Sequence, residues 1–187
     1  MDASNPRLIS EHLHFRIYQE DKINKSGILE THEYVSRKDG TRTIGLDENN
    51  NIVLNYEYRY EKEAYDWRVP GGRLDHDNEP VLEAAQREFR QEAGYVSANW
   101  QFLWTTSLDS TVRYQRHFFL ATNLQWVGTE RDSGEFGTET HLVPLEKANE
   151  MALNGDIEEE ISALAIARLF HEIKSGKRNI SELTSVF

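Results

Sequence analysis

Hydrophobic residues along this chain alternate with polar ones before they ever fall into helical spacing. In "HLHFRIYQ" Leu13, Phe15 and Ile17 fall on one side and His14, Arg16 and Tyr18 on the other, a period of two that predicts a strand. "GILETHEYV" predicts a second. The turn signal "KDG" at Lys38–Gly40 separates it from a third, "TRTIGL". After the turn "DENNN", the segment "NIVLNYEYRY" puts Ile52, Leu54, Tyr56 and Tyr58 on one face and Val53, Asn55, Glu57 and Arg59 on the other.

The pattern then changes. "WRVPGGRLDHDNEP" holds two prolines and a glycine pair, which excludes a long regular element. A helix is predicted next, with Asn78 as N-cap, Pro80 in its first turn, Val81, Ala84, Ala85 and Phe89 for packing, and Gly94 as its stop. "NWQFLWTTS" and "RYQRHFFLAT" read as two more strands, and "GTERDSGEFGTET" as a polar, glycine-rich loop. "LEKANEMALNG" predicts a short helix ended at Asn154-Gly155. Asp156 and Glu159 form a capping box for a last helix with an apolar stripe of Ile157, Ile161, Leu164 and Leu169. Strands, loop, helix, strands and helices in that order describe a mixed α/β domain around one sheet.

Composition narrows the function. A length of 187 residues suits one domain with a small appendage, and 38% hydrophobic residues are sufficient for a core. No run of about 18 apolar residues would span a membrane. The start "MDASNPRLISEH" lacks a secretory pattern, and the absence of cysteine removes disulfides and thiolate chemistry. A cytoplasmic protein is expected. Lys and Arg total 21 against 32 Asp and Glu, a net charge of −11, which disfavours binding to nucleic acid. A small phosphorylated substrate would need a divalent metal, a few arginines, or both.

Candidate chemistry concentrates in "VPGGRLDHDNEPVLEAAQREFRQEAGY". On a helix, Glu88 and Glu92 stack one turn apart with Gln91 beside them, next to a Gly71-Gly72 loop that allows close backbone approach. Hard divalent cations take such oxygen ligands. A solvated acidic helix face is the plainer alternative, and the two carboxylates alone leave the choice open.

The stretch resembles the signature of the Nudix hydrolases, G-x5-E-x7-R-E-U-x-E-E-x-G-U, where U is a bulky apolar residue. Gly72 opens it, and Glu79, Arg87, Glu88, Phe89, Glu92, Gly94 and Tyr95 fall in register. The chain departs twice: one extra residue lies between Gly72 and Glu79, and Gln91 stands where the motif has glutamate. "YEYRYEKEAYDWRVPGG" and "LVPLEKANEMALNGDIEEEISALAIARL" resemble flanking segments of the ADP-ribose pyrophosphatase branch.

The resemblance implies an α/β/α sandwich around a mixed sheet, with an antiparallel β extension over residues 1–40 that helps build a homodimer, and a Nudix hydrolase domain over 41–187. It implies Mg²⁺, with Mn²⁺ able to substitute, held by Glu88, Glu92 and the Gly71 carbonyl. Glu79 and Arg87 would pair to support the site, beside Gln91. A further loop acid, Glu135 or Glu139, would serve as base or ligand. The implied reaction cleaves the diphosphate of a nucleoside-diphosphate sugar, ADP-ribose first, giving AMP and ribose 5-phosphate. GDP-sugars and dinucleoside polyphosphates are alternative substrates. A catalytically weak Nudix-fold module that binds nucleotide as a sensor is the rival class, kept open by Gln91.

Arg59 could clamp a diphosphate oxygen or pair with Glu57 or Glu61. Trp67 could stack on a base or fill the core. His12 and His14 share a strand face in this reading, a spacing open to a transition metal but without a third ligand. His117 and His141 read as structural, and no Gly-x-Ser-x-Gly points to a serine hydrolase.

Overall fold

A computed structural model describes residues 6–130 and 137–179. Three strands open the chain: β1 (Arg7–Glu11), β2 (Phe15–Ile23) and β3 (Leu29–Arg37). They pair as successive antiparallel hairpins. β4 (Gly40–Gly45) follows, then β5 (Asn51–Arg59) and β6 (Ala64–Arg68). Helix α1 (Val81–Ala93) leads into the long strands β7 (Tyr95–Asp109) and β8 (Val112–Trp126). β9 (Glu139–Pro144), α2 (Leu145–Asn154) and α3 (Glu160–Lys174) complete the fold.

The larger sheet runs β1-β2-β3-β8-β4, with β7 also paired to β8. β8 is its organiser. It pairs antiparallel with β7, and parallel with β3 through Val35 and Ser36 and with β4 from Gly40 to Gly45. The N-terminal strands therefore continue the central sheet. The smaller sheet runs β6-β5-β9.

β5 is buried on both faces, so its alternation sorts two cores. Ile52 and Leu54 join Ile44, Leu120, Leu145, Ile166 and Leu169 on the side covered by α2 and α3. Val53 joins Phe89 and Ala93 of α1 on the other. This places helices on both faces of a mixed sheet, with antiparallel strands at the N-terminus.

The helix ends differ from the sequence expectation. α1 starts at Val81 with Pro80 in the cap position, not Asn78, and no side chain caps it. The proline ring fixes φ and brings no N–H, so one fewer donor at the helix start has to find an acceptor. Gly94 ends the helix at φ 76° as expected, a left-handed conformation that a side chain would strain. Asp156 and Glu159 do not form a capping box. α3 begins at Glu160, and Glu159 turns inward to arginines. Leu164 is 60% exposed, while Ser162, Ala165, Ile166, Leu169 and Glu172 form the buried stripe. His12 and His14 lie in the turn between β1 and β2 rather than on one strand face, because β2 begins only at Phe15. The loop read over residues 128–140 gives way to β9 at Glu139, whose pairing with β5 only the tertiary fold creates.

Candidate active site

The segment after β6 runs alongside β4. Thr43 N–H donates to Pro70 at 2.9 Å and Thr41 N–H to the Gly72 carbonyl at 2.8 Å. This pins the Gly71-Gly72 turn against the sheet, and α1 packs its C-terminal half onto the turn. Glu92 Oε2 accepts the Gly71 N–H at 2.7 Å. The Glu88 carboxylate sits so close to Gly72 that a Cβ there would lie 2.5 Å from Oε1. Only glycine allows that approach.

Arg87 braces the outer side. Its Nε and Nη2 donate to the two Glu79 oxygens at 3.0 and 3.2 Å, and Nη1 donates to Glu88 Oε1 at 2.9 Å. Glu79 in turn accepts the Asp75 N–H at 2.6 Å, fixing the loop. Gln91 Oε1 lies 3.5 Å from Arg87 Nη1, at the edge of hydrogen-bond range. A cleft of about 450 Å³ opens over Gly72, Glu88, Gln91 and Glu92, with Leu13, His14 and Lys38 from the N-terminal region on its far wall.

Behind the turn lies a buried polar cluster that sequence reasoning missed. Arg42 of β4, Arg68 of β6 and Arg116 of β8 converge on Glu159 at 2.9, 3.4 and 3.9 Å. The Nε atoms of all three arginines are buried without a hydrogen-bond partner. Glu57 of β5 is part of this charge set. Burial pushes the Glu57 carboxyl up, and Arg68, Arg42 and Arg59 oppose that shift. The sequence did carry a signal: "TRTIGL" places a charge in a strand whose residues are all buried, and a buried charge needs partners.

The two signature carboxylates are both pushed up. Burial raises Glu88. Burial raises Glu92 well above the ordinary range, and the charges of Glu57 and Glu88 add to it. Crowded carboxylates that resist ionisation are what a divalent cation relieves. Among the described residues, no group of three His, Asp or Glu side chains could hold an ion by itself. The donor set fits a cation that keeps waters and shares substrate oxygens, the usual habit of Mg²⁺ with one or two carboxylates.

The other expected site residues among those described lie on β5 and on its neighbours β6 and β9. Arg59 is half-buried between Glu57 at 3.6 Å and Glu61 at 3.4 Å. Trp67 packs on Tyr56 at 4.6 Å and edge-on to His141 at 5.1 Å. Register places Glu139 and Trp67 directly opposite Tyr56, on the face of β5 away from Glu57. Glu139 is exposed and lies 3.2 Å from His141. Glu135 lies outside the described residues.

Comparison with known proteins decides the family. The NUDIX domain model matches residues 37–165. An ADP-ribose pyrophosphatase of Mycobacterium tuberculosis is 30% identical over 177 residues, 89% of this chain and 83% of that protein. The chain belongs to the Nudix hydrolase family. A second match is the CMP-5'-(N-acetyl-N-hydroxy-3-aminopropyl)phosphonate hydrolase of Streptomyces rubellomurinus, 30% identical over 125 residues, 66% of this chain and 60% of that relative. The crystal structure of an ADP compounds hydrolase superposes with a TM-score of 0.77 at 19% identity, covering 95% of this chain and 96% of the other. That likeness supports the Nudix fold. No helix among the described residues is long and apolar enough to cross a membrane.

Proposed function

We propose that this Nudix chain is a Mg²⁺-dependent pyrophosphohydrolase of nucleoside-diphosphate sugars, with ADP-ribose as the leading substrate and Mn²⁺ able to substitute. The observation that carries the reading is the seating of Glu88 and Glu92 against the Gly71-Gly72 turn on the floor of an open cleft. A bound divalent cation would offset charge on the diphosphate oxygens and lower the pKa of the attacking water. Glu88 and Glu92 would hold it, and Arg87 with Glu79 keeps Glu88 in place. Water adds to one phosphorus, the bridging P–O bond breaks, and two phosphate monoesters leave: AMP and ribose 5-phosphate from ADP-ribose. Arg59, on the Glu57 side of β5, is the proposed clamp for a diphosphate oxygen. The relatives, an ADP-ribose pyrophosphatase and a hydrolase of a CMP-linked phosphonate, support a nucleotide-linked substrate.

The test is to incubate the protein with Mg²⁺ and a panel of nucleotide-sugars and to measure released monophosphate. Turnover strongest on ADP-ribose, abolished by EDTA and restored by Mg²⁺ or Mn²⁺, is the expected result. Binding without turnover across the panel would identify a nucleotide-binding module instead, and full turnover in EDTA would sink the metal reading. We also propose a homodimer through the N-terminal strands. Leu8 and Ile9 of β1 and Leu13 in the turn that follows are 51%, 54% and 88% exposed, an apolar surface that a second copy would cover. Light scattering after gel filtration should give twice the chain mass.

A further inference from the structure

The Gly71 carbonyl already faces a cation of the protein's own. Arg42 is only 8% exposed. Its Nη1 donates to the Gly71 carbonyl oxygen and its Nη2 to Glu159 Oε1 at 2.9 Å. Glu159, at the cap of α3, is pinned by the Ser162 hydroxyl of that helix, and Ser162 Oγ also accepts the Val69 N–H at 2.9 Å. The guanidinium is thus held from α3 on one side and from the signature loop on the other. Its charge is permanent, since arginine does not lose its proton in proteins. That charge lowers the carboxyls of Glu57, Glu88 and Glu92 against the upward push of burial. Arg116 and Arg68 share Glu159, whereas the bond to the Gly71 carbonyl comes from Arg42.

We propose that Arg42 is a resident cation of the hydrolytic site. It takes one lone pair of the Gly71 carbonyl and part of the charge of the Glu57, Glu88 and Glu92 cluster. A divalent cation is then held chiefly by the Glu88 and Glu92 carboxylates, and more weakly than the acidic cluster alone would hold it. Arg42 is a positioning residue, acting on the carboxylates and the carbonyl and not on the reacting atoms. The inference rests on the metal-site reading above and deepens it.

The experiment measures Mn²⁺ binding directly, by the loss of the free Mn²⁺ electron paramagnetic resonance signal on titrating full-length protein. Wild type, Arg42→Met, Arg42→Gln and Arg42→Lys are compared, with circular dichroism to confirm folding. Removing the charge in Arg42→Met should tighten Mn²⁺ binding at least about tenfold, a lower bound because one charge a few ångströms away at an effective dielectric of about 20 exceeds that before the site relaxes. Arg42→Gln should do the same while keeping hydrogen-bonding capacity, and it carries the test if Arg42→Met does not fold. Arg42→Lys keeps the charge and should stay close to wild type. Unchanged or weaker binding in a folded neutral variant would overturn the proposal, as would a tightening in Arg42→Lys equal to that in Arg42→Met. A wild type that binds no Mn²⁺ would instead bring down the metal-site reading, and this inference with it.

Discussion

Two arginine–glutamate clusters flank the Gly71-Gly72 turn, and they are built on opposite plans. The outer one is local: Arg87 meets Glu79, Glu88 and Asp75, all from the stretch that runs into α1, and its side chain is 25% exposed. The inner one is assembled from β4, β6, β8 and the cap of α3, with Glu159 as the shared anion. In the outer cluster solvent reaches Arg87 and screens its charge in part, and the fork of Arg87 is well satisfied by hydrogen bonds. In the inner cluster screening is weak, three guanidiniums compete for one carboxylate, and their Nε atoms go unpaired. Low dielectric magnifies both attraction and the penalty of losing a partner. The outer cluster therefore shapes the site at small energetic stake, whereas the inner one ties the site to the stability of the whole fold.

Removing the shared anion should do the most damage. Glu159→Ala strands Arg42, Arg68 and Arg116 in a buried place, and urea unfolding should show a loss of about 3–5 kcal/mol. A variant within about 1 kcal/mol of wild type would mean that Glu57 and the buried Asp66, 3.5 Å from Arg68, suffice as counter-charges. pH sharpens the same point. Burial pushes the Glu159 carboxyl up, but Arg42, Ser162 and Arg68 outweigh it and hold it at about 2, below its ordinary value of 4.5. A carboxyl depressed in the folded state stabilises fully above its unfolded pKa and loses that contribution as pH falls through the folded one. Wild type should thus lose stability between about pH 4.5 and 2 more steeply than Glu159→Gln.

Glu92 lies between the clusters and should behave in the opposite way. Its carboxyl is pushed up, so ionising it opposes folding in the metal-free protein. Glu92→Gln should lower kcat by roughly 100-fold or more, about 2.7 kcal/mol. The metal-free protein should be as stable as wild type or slightly more so above pH 5. The sign also sets the metal dependence: half-saturation with Mg²⁺ should fall as pH rises and Glu92 gives up its proton. A near-normal rate in Glu92→Gln would remove Glu92 from the proposed ligand set.

The outer cluster should give a smaller response. Glu79→Gln keeps one acceptor for Arg87 and leaves Arg87 paired to Glu88 at 2.9 Å. Stability should fall by about 1–2 kcal/mol, and kcat less than in Glu92→Gln. A collapse as large as that of Glu159→Ala would show that the two clusters are energetically one.

The difference between the clusters also explains what the sequence disclosed. Glu79, Arg87, Glu88 and Glu92 sit at fixed spacing in one stretch, so a linear pattern finds them. Ala84, Ala85 and Phe89 were likewise legible, because helical period alone puts them under α1. Arg42, Arg68, Arg116 and Glu159 are 117 residues apart at their widest contact, and only strand pairing brings them together. Asp156 and Glu159 matched a capping box, yet a buried arginine competes for the Glu159 carboxylate more strongly than an exposed backbone N–H. The strands β1, β6 and β9 were missed for a related reason: short edge segments carry weak alternation, and their pairing is a tertiary fact.

The smallest expected effect concerns the residue where this chain leaves the family pattern. Gln91 lines the cleft, and its amide oxygen lies 3.5 Å from Arg87 Nη1. An amide oxygen coordinates a hard cation more weakly than a carboxylate does, but it still coordinates. The same substitution keeps a further negative charge away from Glu88 and Glu92, which burial already pushes up, with Glu57 and Glu88 adding to the shift of Glu92. Gln91→Glu should therefore shift half-saturation to lower Mg²⁺ by a few-fold and lower metal-free stability by a few tenths of a kcal/mol, since Arg87 compensates part of the new charge. An unchanged Mg²⁺ curve would make position 91 peripheral to the metal. A wild type inert at every Mg²⁺ concentration, with turnover appearing only in Gln91→Glu, would show that the outer cluster lacks one charge that hydrolysis needs, and would turn the assignment toward a nucleotide-binding module.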